Sequence, residues 1–265
     1  MTTRIGLCGF GKTGRSVARS ILEDVDARLE WVVRKSDHVS RGPLADQIER
    51  SNSGTNRMFC AASTPIEVLL DTCPVDVIID FSGVNGLDYY GDEAARRGIR
   101  IVTAISSYPC AQQEKLRDLS TQTPVLWSPN ITLGVNLMIL VASLLHMIAP
   151  TADVEIVEEH FRLKKGVSST AKVIARALGV LESEIKSLRA GGIVGTHEVV
   201  FGFPSQTVRL RHESVSPEAF GEGALFAAHS MIDVSPGLYT MEDLLIPSFI
   251  ESARKLQPRL LAMNS

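Results

Sequence analysis

Cysteine is scarce in this chain. Four occur in 265 residues, at Cys8, Cys60, Cys73 and Cys110, with no Cys-x-x-Cys pair and no histidine close by. That excludes a disulfide scaffold and a zinc ribbon, and the four read as small buried hydrophobes in a reducing compartment, which makes the cytoplasm the expected address. An excess of one charge is also lacking: 27 Lys and Arg stand against 30 Asp and Glu, a net charge of −3. Nothing electrostatic therefore points to a nucleic acid or an anionic membrane surface as partner. No hydrophobic run is long enough to span a bilayer; the longest, Leu137 to Ile148, is interrupted by Ser143 and His146. The apolar stretch after Arg4 stops at Gly9, too short for the core of a signal peptide. Internal repeats and low-complexity tails are missing. What remains is an ordinary globular balance, 45% apolar and 22% charged, in a chain long enough for two domains with a core of their own.

The order of elements gives the fold class. Ile5 to Cys8, Leu29 to Val33, Val75 to Phe81, Arg100 to Ala104 and Pro124 to Trp127 read as strands. Helical stretches alternate with them, at Ser16 to Leu22, Pro65 to Leu70, Leu87 to Arg97 and Ala111 to Leu119, while Asp37 to Thr64 is polar and reads as loop. Alternation of this kind implies an α/β fold with a doubly wound parallel sheet of the Rossmann type. The pattern changes after residue 130. Gly134 to Met147 reads as an apolar helix, Val154 to Phe161 as a strand, and a helix follows from about Thr170. Thr196 to Phe203 and Thr207 to Ser214 form a hairpin across Gly202 to Ser205. Strands without interleaved helices predict a second α+β domain with a mixed or antiparallel sheet. Pro217 to Met231 and Met241 to Leu245 are again helical.

Gly9-Phe10-Gly11-Lys12-Thr13-Gly14 fits G-x-G-x-x-G between a strand and a helix, the context in which that spacing marks a dinucleotide site. Gly9 permits the tight turn, Gly11 lets the backbone approach a pyrophosphate, and Gly14 lets helix and strand pack closely, while the helix start offers N–H groups to phosphate. At the end of the second strand an NAD enzyme carries Asp or Glu for the ribose hydroxyls. Here stand Arg34-Lys35-Ser36, cations suited to a 2′-phosphate, so NADPH is preferred; Asp37 keeps NADH open.

The stretch from Glu158 to Ala171 runs from a strand through a basic loop into a helix. Ser168, Ser169 and Thr170 supply hydroxyls and helix-start N–H groups, a ready site for a carboxylate. Lys164 adds a positive charge, and His160 is a proton donor at neutral pH. From composition alone the plainer account leads: a capped helix, a surface lysine and a structural histidine. Glu158 and Glu159 are adjacent on a strand and point to opposite faces, so at most one of them faces a pocket. His197 reads as a packed strand residue, Asp80 as a turn cap or an orienter of the nucleotide loop, and His212 and His229 lack partners at ligand spacing, so no metal site is expected.

Several segments together carry a resemblance. Glu158, His160, Lys164, Ser168, Thr170 and Ala171 follow the pattern E-x-H-H-x-x-K-x-D-A-P-S-G-T-A, with one residue fewer between the lysine and the serine. Val77 to Ser82 resembles V-x-I-D-F-[TS], Asn130 to Asn136 resembles N-[FI]-S-x-G-V-N, and Arg189 to His197 resembles R-x-G-x-I-V-G-x-H. Nearly end to end, the chain resembles the dihydrodipicolinate reductases of lysine biosynthesis. The resemblance implies hydride transfer to a cyclic imine or enamine dicarboxylate, with His160 as general acid and Lys164 holding substrate. Ser168, Ser169 and Thr170, with Phe161 beside them, would bind the substrate. The glycine turn, Arg34 to Ser36, Phe81, Ser82, Ala104, Ile105, Ser106 and Asn130 would bind the cofactor. It also implies residues 1–130 and 217–265 as dinucleotide-binding domain, 131–216 as substrate-binding and oligomerisation domain, and a homotetramer. The chain departs from the pattern at Phe161, where the family has a second histidine, at Gly166 to Ser169, at Ala104 to Ser107 (G-T-T-G in the family) and at Phe226, where an arginine is common. These departures keep two other readings in play: a relative that reduces a different cyclic imine, and a non-catalytic NADP-binding redox sensor. Retention of His160 and Lys164 argues against the sensor.

Overall fold

The computed structural model describes residues 2–35 and 58–263. It divides into two compact units, one of Met1–Thr132 with Phe220–Ser265 and one of Leu133–Ala219.

The first unit is a seven-stranded sheet, parallel at every pairing, in the order β11-β6-β5-β4-β1-β2-β3. Its strands are β1 (Thr3–Cys8), β2 (Ala27–Arg34), β3 (Met58–Cys60), β4 (Val77–Asp80), β5 (Arg100–Thr103), β6 (Pro124–Trp127) and β11 (Gly237–Tyr239). Helices α1 (Lys12–Glu23), α2 (Ile66–Thr72), α3 (Gly86–Arg96), α4 (Cys110–Ser120), α7 (Glu218–Ser230) and α8 (Met241–Met263) belong to the same unit. Central strands covered on both faces need continuous apolar runs, and all four residues of β4 are buried. Helix α1 buries Gly14, Val17, Ala18 and Ile21, the i, i+3, i+4, i+7 stripe of a helix lying on a sheet. Each large apolar side chain so buried contributes roughly 1.5–3 kcal/mol. Trp31 is fully buried beside its sheet neighbour Gly6, where any side chain would strike the indole, and its Nε1 donates to Cys73 O at 3.0 Å.

The second unit holds a four-stranded mixed sheet, β10-β9-β7-β8, with β7 (Asp153–His160), β8 (Lys186–Arg189), β9 (Thr196–Phe203) and β10 (Gln206–Glu213). β9 pairs antiparallel with β7 and β10, and β8 runs parallel to β7. Helices α5 (Leu133–Ile148) and α6 (Ser169–Leu178) pack against it around Val135, Met138, Ile156, Ile174, Val199 and Phe201. Ser168 caps α6, its Oγ accepting from Ala171 N at 3.0 Å; Gly179, at φ +69°, ends it in the left-handed conformation.

Five expectations need correction. Helix α1 begins at Lys12, four residues before the apolar periodicity starts, because the glycine turn opens directly into it. The stretch read as loop up to Thr64 contains β3. β8 and β11, four and three residues long, were not expected from the sequence. The final helix runs to Met263 rather than Leu245. Among the cysteines, Cys8 and Cys60 are buried as expected, with burial pushing the Cys8 thiol up, but Cys73 is half-buried and Cys110 is exposed.

Candidate active site

The turn from β1 to α1 has the shape a phosphate-binding turn requires. Gly9 sits at φ +100°, and a Cβ there would lie 2.6 Å from the Phe81 carbonyl carbon; a Cβ on Gly14 would run into the Gly9 carbonyl oxygen. A Cβ on Gly11 would meet nothing within 4 Å, so the turn is open on that side. Two cavities lie at this end of the sheet and share Gly83 and Val84 on their walls. One, of about 340 Å³, is lined by Arg34, Lys35, Ser82 and Tyr89 among others; the second, of about 520 Å³, by Thr13, Phe81, Ala104, Ile105 and Ser106 among others. A dinucleotide fits these features: a turn that excludes side chains where strand and helix meet, a helix start beside it, and cations at the far wall.

Asp80 shapes the shared wall. Its buried carboxylate accepts from Ser82 N at 2.8 Å, Ser82 Oγ at 2.6 Å and Tyr90 Oη at 2.9 Å. Burial pushes its pKa up against the pull of those bonds. The loop after β5 is fixed in a similar way. Trp127 Nε1 donates to Ile105 O at 2.9 Å, and Tyr108, bonded to Thr103 Oγ1, packs its ring on Trp127. Asn130 belongs to the turn after β6: its carbonyl accepts from Ser128 Oγ and its side-chain oxygen from Thr132 Oγ1, while Pro129 and Ile131 line the larger cavity. Gly11 and Lys12 are exposed and Phe10 is half-buried. Ser36 and Asp37 lie outside the described residues.

In the second unit, strand alternation and register assemble a cluster of ionisable groups. Glu158 and His160 point to the helix-covered face of β7, and Glu159 to the other, where Arg211 lies 3.8 Å away. Across the ladder Glu158 stands opposite His197, and His197 opposite His212. His160 meets His197 edge to face with ring centroids 5.3 Å apart, and His197 stacks on His212 at 6.4 Å. Glu158 is 0% exposed and saturated by donors: Ser168 N at 3.0 Å on Oε2, Ser187 Oγ at 2.7 Å and Arg189 Nη2 at 2.5 Å on Oε1. Arg189 also donates to the carbonyls of Lys164 and Gly166, which fastens the loop carrying Lys164. Ser168 Oγ is 3.0 Å from His197 Nε2. Ser168, His160 and Lys164 are thus tied to one network. Ser169 is exposed and Thr170 half-buried at the start of α6, and Phe161 is 44% exposed just beyond His160.

Burial dominates the electrostatics. It pushes the imidazoles of His160, His197 and His212 below their ordinary value, His197 to about 4. For His160, Glu158 opposes that push, while Lys164 and Arg189 add to it. Burial alone would raise the Glu158 carboxyl; the bonds from Ser168, Arg189 and Ser187 more than offset it and hold the group at about 2. Glu158 is therefore a fixed anion, and His197 is neutral at neutral pH.

Glu158, His160 and His197 each place one ligand atom within 4.8 Å of the others, a spacing that sequence reading missed. The donor set argues against a metal ion: both Glu158 oxygens are already occupied, one by a guanidinium. Of this cluster, the sequence alone left open which of Glu158 and Glu159 faces a pocket, made His197 a packed strand residue, and gave Arg189 no role beyond its place in a family segment. The Glu158–His160 alternation was available as a signal, but pairing with β9 and β8 was needed to bring in the other two.

A doubly wound parallel sheet with this glycine turn, in one chain with a buried imidazole and a network-held lysine, defines a nicotinamide-dependent oxidoreductase. Family profiles described as the dihydrodipicolinate reductase N-terminus and C-terminus match residues 3–131 and 134–245. The chain belongs to the dihydrodipicolinate reductase family. It is 32% identical over 272 residues to the 4-hydroxy-tetrahydrodipicolinate reductase of Syntrophus aciditrophicus, covering 89% of this chain and 96% of the relative. It is 34% identical over 192 residues to that of Caldanaerobacter subterraneus, covering 64% and 76%. Among solved structures, dipicolinate-bound dihydrodipicolinate reductase from Paenisporosarcina sp. TG-14 superposes with a TM-score of 0.74 at 22% identity, covering 91% and 98%; it shares the fold. Among the described residues no helix is long and apolar enough to cross a membrane.

Proposed function

We propose that this chain reduces 4-hydroxy-tetrahydrodipicolinate in lysine and diaminopimelate biosynthesis, using NADPH in preference to NADH, as a cytoplasmic homotetramer. The observation that carries the reading is the joining of His160, Lys164 and the α6 start through Glu158, Arg189 and Ser168. The curated relatives named for this activity support it. The tetramer rests on family likeness, and the cytoplasm on the scarce, unpaired cysteines.

The Gly9–Gly14 turn and the first turn of α1 would hold the pyrophosphate, Arg34 and Lys35 the 2′-phosphate, and Ala104 to Ser106 the nicotinamide end. When bound, the reduced nicotinamide supplies hydride. Lys164 fixes a substrate carboxylate and stabilises negative charge as it develops on the ring, and the backbone N–H groups of Ser169 and Thr170 take a carboxylate at the helix start. His160 holds a proton and delivers it to the ring carbon beside the one reduced. The second reading, reduction of a different cyclic imine, draws on Phe161: an exposed phenyl ring next to the acid offers an apolar contact and no hydrogen bond.

The test is NADPH consumption with enzymatically generated 4-hydroxy-tetrahydrodipicolinate beside a panel of other cyclic imine carboxylates. Turnover with the first at the highest kcat/KM is expected. Turnover confined to another imine replaces the substrate, and cofactor binding with no turnover on any of them sinks the reductase reading.

A further inference from the structure

The two nitrogens of His160 have different surroundings. Nδ1 is buried and makes no hydrogen bond; its charged neighbour is Glu158 Oε2, at an ion-pair distance of 3.8 Å. The edge carrying Nε2 and Cε1 lies over Gly195, where a Cβ would come within 3.4 and 3.5 Å of those atoms. A side chain there would rest in ordinary contact with that edge of the ring. Glu158 cannot turn away, since three donors from the α6 cap and β8 hold both of its oxygens.

We propose that Glu158 is a positioning residue for His160: its clamped carboxylate keeps a proton on Nδ1 and so assigns Nε2 as the atom that gives its proton to the substrate. The catalytic consequence rests on the reductase reading; the placement of the proton rests on the geometry alone. Saturating one C=C bond takes a hydride, from the reduced nicotinamide, and a proton, from Nε2. The nicotinamide loses two electrons, the substrate gains them, and the imidazolium becomes a neutral ring that keeps Nδ1–H toward Glu158. An anion at that place stabilises the charged ring before the transfer and fixes its tautomer afterwards, as a buried carboxylate does for a catalytic histidine elsewhere.

The groups facing His160 come from every element around it: Glu158 on β7, Lys164 on the loop beyond, Arg189 on β8, and His197 on β9 with His212 stacked behind it. Lys164 and Arg189 disfavour a proton on His160, as burial does; His197 is neutral at neutral pH; Glu158 favours the proton. Removing the carboxylate therefore leaves no anion facing the acid among the described residues, and the Glu159 backbone as the remaining group that favours its proton.

The experiment is imidazole-nitrogen NMR on ring-labelled protein, with the His160 signal assigned by its loss in His160→Gln, alongside the pH profile of kcat/KM. In the unmodified protein neutral His160 is expected to carry its proton on Nδ1. In Glu158→Gln the ring should titrate at lower pH. Because activity falls as pH rises through the pKa of the acid, that fall should also move to lower pH, with kcat/KM at neutral pH down by about 10- to 100-fold, part of the 10²–10⁴ that a general acid supplies. If Glu158→Gln fails to fold because Arg189 is left unpaired, Glu158→Gln with Arg189→Met removes both charges; because Arg189 itself opposes the His160 proton, the titration should still move to lower pH but by less than in Glu158→Gln. A neutral ring protonated on Nε2 in the unmodified protein, or an unmoved titration in the variants, overturns the proposal. The NMR arm does not need turnover, so the expected ring state in a protein that reduces no imine would overturn the reductase reading and leave the Glu158 assignment standing.

Discussion

Arg34 and Lys35 follow a strand end where an NAD enzyme carries a carboxylate, and both line the smaller cavity of the first unit. A carboxylate at position 34 would repel a 2′-phosphate and accept from ribose hydroxyls. Arg34→Asp is therefore expected to raise KM for NADPH by 10-fold or so, about 1.4 kcal/mol, and to leave KM for NADH within a factor of a few. Steady-state kinetics with both cofactors checks it, and equal losses for both would separate Arg34 from the phosphate. Single residues were legible in sequence where their chemistry depends on local spacing. Gly9, Gly11 and Gly14 fall within six consecutive positions of one turn. His160 and Lys164 lie on one strand end and its loop, where composition alone favoured a structural histidine and a surface lysine and only the family resemblance singled them out. His197 was not legible. Nothing within a few residues of it is ionisable in a suggestive pattern, and its tie to Ser168 exists because β9 pairs with β7 in one register. A shift of one residue would turn the imidazole to the opposite face.

At the scale of elements, the helix-covered end of β7 and β9 is built from groups that acid disturbs. His197 is held at about 4 against an ordinary 6.5. Between those values the unfolded chain takes up a proton that the folded one refuses, so stability is full above pH 6.5 and declines as pH falls toward 4, by at most about 1.4 kcal/mol per pH unit. Burial pushes His160 and His212 the same way and steepens the decline. Glu158, held at about 2 against an ordinary 4.5, contributes in a separate window: its stabilisation is present above 4.5 and is lost as pH drops from there to 2. Thermal unfolding followed at stepped pH should show Tm falling from pH 6.5 downward. His197→Gln should flatten that first limb and leave the one below 4.5. An unchanged slope in the variant would mean that His197 is not the buried neutral group described. The elements missed in sequence share a physical reason. β3, β8 and β11 are three or four residues long, too short for a period of two to declare itself, and each exists because a neighbouring strand offers an edge to pair with. The longer elements fared better: Val17, Ile21 and Leu22 marked the later part of α1 by their spacing, and α6 was expected from about Thr170, one residue after its observed start at Ser169.

At the scale of the whole molecule, the chain enters one unit, builds the second from residues 133–219 and returns to the first with α7, β11 and α8. The change from alternating strands and helices to a hairpin-bearing sheet was readable because periodicity and turn residues both change near residue 130. Helices after Pro217 were readable from periodicity; their return to the first unit was expected only from the family resemblance. The two units divide the labour proposed here, dinucleotide on one and acid and ammonium on the other. Deuterium transfer tests that division most directly. NADPH labelled at the reactive nicotinamide carbon is incubated with 4-hydroxy-tetrahydrodipicolinate and the protein, and the product is examined by mass spectrometry. One deuterium should appear on the product ring with the unmodified protein, and its rate of appearance should drop by about 10²- to 10⁴-fold in His160→Gln while cofactor affinity holds. Unlabelled product, or equal rates in the two proteins, would contradict the account.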